Sequence, residues 1–411
     1  MDLPSLRKIP KRILLVAFYG FLLSISTQML YSHLALFLKF DLNVTESQIG
    51  WIDGFVEFLS YMIRIFSGMI SDCICNRKLF LMIGCAVACL VKPVFSFANS
   101  VAGVLAAEIL ERIGNGIQAS PRDALLADLS DKDRLGESFG FAKSMKTMGA
   151  LVGAPIALAI MYFSNGNYAV LFAAASIPAL IAFFFLAKIN MQGSKAIRIP
   201  NLIKKFENPF KKKYLKSLNL QFVTLMIFAF FCELGHFGEA LMTIGASRIV
   251  SPSFAGITSA FMGIGQIIFS YPIGWLSDRH GKLFLIRICL FLAGISYALI
   301  ATSNNGFVYF FSVAVLCGQH ASIQAIFLSM ISERINPRLR GTAIGIFYCT
   351  IGLSYMLSSE ICGLICENFG YETAFLYSSM VCVLCLFAGF SKRFFGKLQT
   401  TGVVSVILEL N

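Results

Sequence analysis

Runs of apolar residues long enough to cross a bilayer follow one another along the chain, separated by short polar breaks. Such a crossing takes ~20 mostly apolar residues as a helix. Twelve runs of this kind are read at 13–38, 48–70, 79–98, 101–121, 138–163, 168–189, 219–246, 254–276, 283–301, 307–331, 342–366 and 371–391. Turn-forming stretches such as Ser164-Asn165-Gly166-Asn167 and Thr302-Ser303-Asn304-Asn305-Gly306 separate several of them. The long basic segment 190–218 divides the runs six and six. The pattern predicts an all-α membrane protein of twelve transmembrane helices in two six-helix bundles, 1–189 and 219–391. Residues 190–218 are the linker and 392–411 the tail. The first run is expected to be retained, since eleven more follow it.

Composition narrows the function. Hydrophobic residues make up 57% of the 411, charged residues only 14%, and the net charge is +12. An ordinary soluble domain carries about 25% charged residues. A water-facing surface cannot be built here, which excludes a soluble enzyme, a disordered chain and a nucleic-acid-binding domain. The twelve cysteines are scattered among apolar runs without zinc-ligand spacing, so no metal or other cofactor is expected. Of the 34 lysines and arginines, 26 fall on one side if the amino terminus is inside; only Lys39 and Arg248 fall outside. Cationic loops stay cytoplasmic, so both termini are expected there, in a bacterial inner (plasma) membrane.

The halves also resemble each other. Gly68-Met-Ile-Ser-Asp72 recurs as Gly274-Trp-Leu-Ser-Asp278, and Asp128, Gly136 and Gly140 recur as Glu333, Gly341 and Gly345. The matching residues are polar or glycine and lie half a chain apart. A duplicated unit in parallel orientation implies bundles related by a pseudo-two-fold axis along the membrane normal.

These motifs resemble those of the major facilitator superfamily. Its loop signature Gly-x-x-x-Asp-Arg-x-Gly-Arg/Lys is matched by Gly274 to Lys282, and in shifted form by Gly68 to Lys78. Arg112-Ile-Gly-Asn115-Gly116 and Ser120-Pro121-Arg122-Asp123 are similar to a bacterial group near the drug-efflux branch. Departures are plain: Asn115 and Gln118 stand where that group shows cations, and Lys146 where it shows an acid. The resemblance implies a conformational latch of Gly68, Asp72, Arg77, Lys78 and Asp128 in one half and Gly274, Asp278, Arg279, Lys282 and Glu333 in the other. It would close while the binding site faces outward.

Thirteen charged residues fall inside the predicted spans. Each costs at least ~2.5–3.5 kcal/mol at mid-bilayer unless it meets water or a partner. They are expected to line a central solvated cavity or to pair with each other. Glu239, His236, Asp53, Glu57, Glu111 and Arg112 are the candidates for proton coupling, because a carboxylate moved between a cation and an apolar wall changes its proton affinity. Substrate contacts are expected from Gln28, Tyr31, Asn115, Gln118, Lys143, Lys146, Gln266, Gln319, His320 and Gln324. The expected function is a secondary transporter of a small organic solute by alternating access, proton-coupled, with antiport favoured over uptake of an organic anion. A ligand sensor is the remote alternative. The expected partners are the solute, protons and the lipid bilayer, with the chain as a monomer.

Overall fold

The computed structural model describes residues 10–74, 76–130, 135–188, 220–334 and 340–390. The predicted linker and tail therefore lie outside the described residues. Fourteen helices are present among the described ones. The first half holds α1 (Lys11–Phe40), α2 (Glu46–Ile74), α3 (Arg77–Phe97), α4 (Val101–Leu129), α5 (Leu135–Phe163) and α6 (Tyr168–Lys188). The second holds α7 (Leu220–Leu234), α8 (Glu239–Ala246), α9 (Pro252–Ala255), α10 (Thr258–His280), α11 (Lys282–Thr302), α12 (Gly306–Arg334), α13 (Arg340–Phe369) and α14 (Tyr371–Phe390).

These make twelve crossings, because α7 and α8 share one crossing and α9 is a single turn before α10. The start of α1 at Lys11 and the end of α14 at Phe390 lie at one face, called here the terminal face; the turn between α1 and α2 lies at the opposite face. Ten crossings are apolar enough by length and composition alone to span a membrane. The other two, α2 and α4, are the polar ones. They carry Asp53, Glu57, Arg64, Glu108, Glu111 and Arg112. Large apolar side chains such as Leu90, Phe184, Phe311 and Leu384 point outward around the helices, as a surface bathed in lipid requires.

Packing repeats the duplication read from the sequence. In the first half α1 packs on α5, α2 on α4, and α3 on α4 and α6. The second half has the matching pairs: α7 on α13, α10 on α12, and α11 on α12 and α14. The halves meet along two seams, α2 against α13 and α5 against α10, with α1 touching α8.

Glycine makes the first seam possible towards the opposite face. A Cβ on Gly54 would come 2.7 Å from Met356 Cα, and one on Gly363 would come 2.9 Å from Ser47 Cα. Gly50 meets the backbone of Ser359 in the same way. Small residues let helices approach closely in a bilayer, where dispersion rather than water exclusion holds them. Beside this seam, His33 is fully buried beneath Gly256, and its Nε2 lies 3.0 Å from the Ser253 carbonyl in the other half.

One crossing departs from the expected continuous helix. The run 219–246 breaks after Leu234 and restarts at Glu239, so Glu233, His236 and Glu239 do not step along one helix. The bare peptide groups at the break are met by protein. Ser358 donates to the carbonyls of Leu234 (2.6 Å) and His236 (2.7 Å), and the Phe237 N–H donates to Tyr297 Oη (3.0 Å). Irregular backbone at membrane depth survives only under such cover.

Other helices run beyond the sequence limits. The α4 helix continues through Pro121 to Leu129, so Arg122 belongs to a helix rather than to the loop in which its charge was counted.

Gly54→Leu is expected to force α2 and α13 apart at the opposite face and to lower the melting temperature of the purified protein by several degrees, since overpacking costs about 1–3 kcal/mol. Scanning fluorimetry checks this, with the exposed Leu90→Ala as the control that stays near wild type.

Candidate functional site

A cavity of about 1220 Å³ occupies the space between the halves. Its walls come from α1, α2, α4, α5, α8, α10 and α13. At the terminal face its rim includes the exposed Asp123 and Lys143. At the other end it stops against Leu34, Leu38 and Ile49, each at most 3% exposed. The chain therefore stands open to the terminal face and closed to the opposite one.

The polar core of the first half is a connected network. Arg112 pairs with Glu57 at 2.9 Å, and its guanidinium carbon lies 4.4 Å from the centre of the Tyr31 ring. Tyr31 Oη donates to Glu111 Oε2 at 3.1 Å, and Asn115 Nδ2 donates to the same oxygen at 2.6 Å. On its other oxygen Glu111 meets Lys92 Nζ at 3.3 Å, with neither side chain exposed. Gln118 donates to Asn115 (3.2 Å) and receives the Tyr19 hydroxyl. Of the predicted residues, Gln28, Tyr31, Asp53, Arg112, Asn115 and Gln118 line the cavity. Glu111 sits behind the wall, held by Lys92.

Three more carboxylates mark the closed end. Asp53 receives the Tyr355 hydroxyl at 2.8 Å, and the same hydroxyl lies 3.3 Å from the Glu239 N–H, so Tyr355 of α13 joins α2 to α8. Glu239 and Glu108 also line the cavity, and Glu108 Oε2 is buried with no hydrogen-bond partner.

Towards the mouth, Lys143, Lys146 and Gln266 line the wall, together with Arg64 and Arg122. Lys146 faces Arg122 and Arg64.

The remaining predicted residues cluster elsewhere. His236 stacks on His320 with ring centres 3.8 Å apart. His320 Nε2 lies 3.5 Å from Glu233 Oε1 and 2.9 Å from Gln324 Nε2. Gln319 is fully buried, and neither of its amide atoms has a partner. This group backs the broken crossing and stands apart from the cavity wall.

Of the latch residues, Lys78 donates to the Ala187 carbonyl of α6 at 3.0 Å, within its own half. Arg77 begins α3, and Arg279 and Lys282 flank the turn at Gly281 between α10 and α11. Gly68, Asp72, Asp128, Gly274, Asp278 and Glu333 fall within helical backbone, and their side chains lie outside the described residues.

Sequence reasoning passed over Tyr355 and Arg122 as site residues, and Glu108, one of the thirteen in-span charges, was given no role of its own. Arg122 was hidden by Pro121, which reads as a helix end. A polar run, Ser354-Tyr355 to Ser358-Ser359, in an otherwise apolar crossing was the available signal for Tyr355.

The model of the Major Facilitator Superfamily matches residues 16–244 and 223–399. The chain belongs to that family. An uncharacterized facilitator-type transporter of Methanocaldococcus jannaschii is 26% identical over 92% of this chain and 94% of its own length. A probable 4-methylmuconolactone transporter of Cupriavidus pinatubonensis is 22% identical over 89% of this chain and 86% of its own. Among solved structures, a point mutant of the nucleoside transporter NupG superposes with a TM-score of 0.80 at 14% identity, covering 93% of this chain and 99% of that one. This facilitator is thus a multi-pass integral membrane transporter and not an enzyme. The seam cavity is where the architecture of two parallel repeats places a solute site.

Removing one partner of a buried ion pair strands the other charge, at a cost of about 3–5 kcal/mol. Lys92→Met is therefore expected to lower the melting temperature sharply. The double variant Lys92→Met with Glu111→Gln should recover most of the loss. A single variant that melts like wild type would show that the pair is not buried as described.

Proposed function

We propose that this facilitator is a proton-coupled secondary carrier of a small organic solute, in which solute and proton compete for the carboxylates at the closed end of the cavity. The observation that carries this reading is Glu239 on the cavity wall, on the short helix that restarts after the broken crossing, joined through Tyr355 to Asp53 of the other half. Rocking of the halves about the glycine seam would move these carboxylates from a wet to a closed setting. A carboxylate that changes setting in this way changes its proton affinity. With the basic loops cytoplasmic, the open side is the cytoplasm of a bacterial plasma membrane, and the sidedness suits exchange of an internal solute for an external proton.

Uptake of an organic anion is the second reading. Arg64, Lys143 and Lys146 on the wall favour it, and so does the name of the muconolactone relative.

Proteoliposomes separate the coupling from the carriage. Solutes that stabilise the purified chain in a thermal-shift screen are assayed for counterflow and for uptake under an imposed pH gradient. Wild type is expected to do both. Glu239→Gln is expected to keep counterflow, which needs no net proton movement, and to lose at least tenfold of the gradient-driven accumulation. Accumulation in the variant equal to wild type would remove Glu239 from the coupling.

A further inference from the structure

Charge inside the cavity is sorted along its length. At the closed end stand Asp53, Glu108 and Glu239. They occupy similar depths: Asp53 and Glu108 each lie seven residues into helices that start at the opposite face, and Glu239 lies seven residues from the helix end there. Among the described residues none of the three forms an ion pair. Arg112 is the cation that acts on all of them, yet its guanidinium is taken by Glu57 at 2.9 Å. That pair is neutral as a unit and sits about one helical turn further in.

At the mouth the sign reverses. Arg64, Arg122, Lys143 and Lys146 line the wall, and among the described residues only Arg122 forms an ion pair, with Asp123 at 3.2 Å, while Asp123 also acts on Lys146. Glu57 also acts on Arg64 and Lys146 but is held by Arg112. The stacked pair Tyr61 and Tyr348, one from each half, stands beside Arg64 with ring centres 5.4 Å apart. Among the described residues three buried polar atoms of wall residues lack hydrogen-bond partners: Glu108 Oε2 in the acidic group, Arg64 Nε in the basic one, and Arg112 Nε between them.

Among the described residues, three carboxyl groups at one end of the cavity and three cationic groups at the other are in no ion pair, and the charges nearest them, Arg112 and Glu57, are engaged with each other. A ligand of the inverse polarity relieves both ends at once. A singly charged ligand relieves one end and leaves the other. Asp53 and Arg64 are eleven residues apart on α2, about 16 Å along the axis, and side chains reaching inward shorten the gap.

We infer that the transported solute is dipolar, with a basic group seated among Asp53, Glu108 and Glu239 and an acidic group among Arg64, Lys143 and Lys146, the two separated by about 10–15 Å or linked by water. This rests on the carrier reading above and names its substrate class. The same carboxylates then take either the basic group of the solute or protons.

The test is binding to the purified full chain, by thermal shift and calorimetry. The probes are linear ω-amino acids of graded length and trialanine, each also amidated at the acid end or acetylated at the amine. At least one free dipolar probe is expected to bind, and blocking either end should weaken it tenfold or more. Arg64→Gln with Lys146→Gln should make binding indifferent to amidation while leaving the penalty for acetylation. Glu108→Gln with Glu239→Gln should do the reverse, which a general loss of folding would not. Blocked probes that bind as well as their parents, or a panel in which no dipolar member binds, would overturn the inference. A singly charged solute that is nevertheless accumulated under a pH gradient would sink the dipolar class and leave the carrier standing. Tight dipolar binding with no pH-driven accumulation would do the opposite.

Discussion

A charge or a bare peptide group within a bilayer has to be met by protein or by water, and the arrangement of this molecule follows from that constraint. The outer surface of the helices is apolar because lipid offers no hydrogen bonds. The polar residues of α2 and α4 turn inward, where Arg112 finds Glu57 and Glu111 finds Lys92. The broken crossing between α7 and α8 is covered by Ser358 and Tyr297. At Glu239 and Lys146, which form no ion pair among the described residues, the wall opens onto the cavity.

On the proposed carrier reading, the same constraint separates structural charges from working ones. Lys92 and Glu111 are sealed in one half and satisfy each other. Asp53 and Glu239 are tied through a tyrosine hydroxyl, with Asp53 on one half and Tyr355 and Glu239 on the other. Relative motion of the halves would leave the first pair untouched and change the surroundings of the second. The closed end is held by shape: Gly50, Gly54 and Gly363 let α2 and α13 touch backbone to backbone, and contacts of that kind have no intermediate arrangement. On the proposed reading, the seam would exchange between two packed states.

Much of this was legible in the chain. Run length gave the crossings, polar and glycine matches half a chain apart gave the repeat, and the signature around Asp278 gave the family. The limits were local. The sequence 235–238 reads as helix because its neighbours are apolar; the break is stabilised by serines and a tyrosine from other helices, which only tertiary contact reveals. Pro121 reads as a stop, yet α4 continues past it and carries Arg122 to the cavity. Which charges face water and which face one another depends on helix rotation, and spacing along one helix does not fix that. Glu111 and Arg112 are adjacent in sequence and end on opposite sides of the wall.

The central claim is that one cavity between two rocking halves is exposed to each face in turn. Spin labels placed in pairs across the molecule test it most directly, by pulsed dipolar spectroscopy in lipid nanodiscs. One pair, Lys143→Cys with Ile346→Cys, spans the open mouth; the other, Lys39→Cys with Arg248→Cys, spans the closed end; both are made in a background without native cysteines. Changing pH or adding a bound solute should shift the two distance distributions in opposite directions, the mouth shortening as the far end lengthens. Distances that stay fixed at both ends, or that change together, would contradict the account.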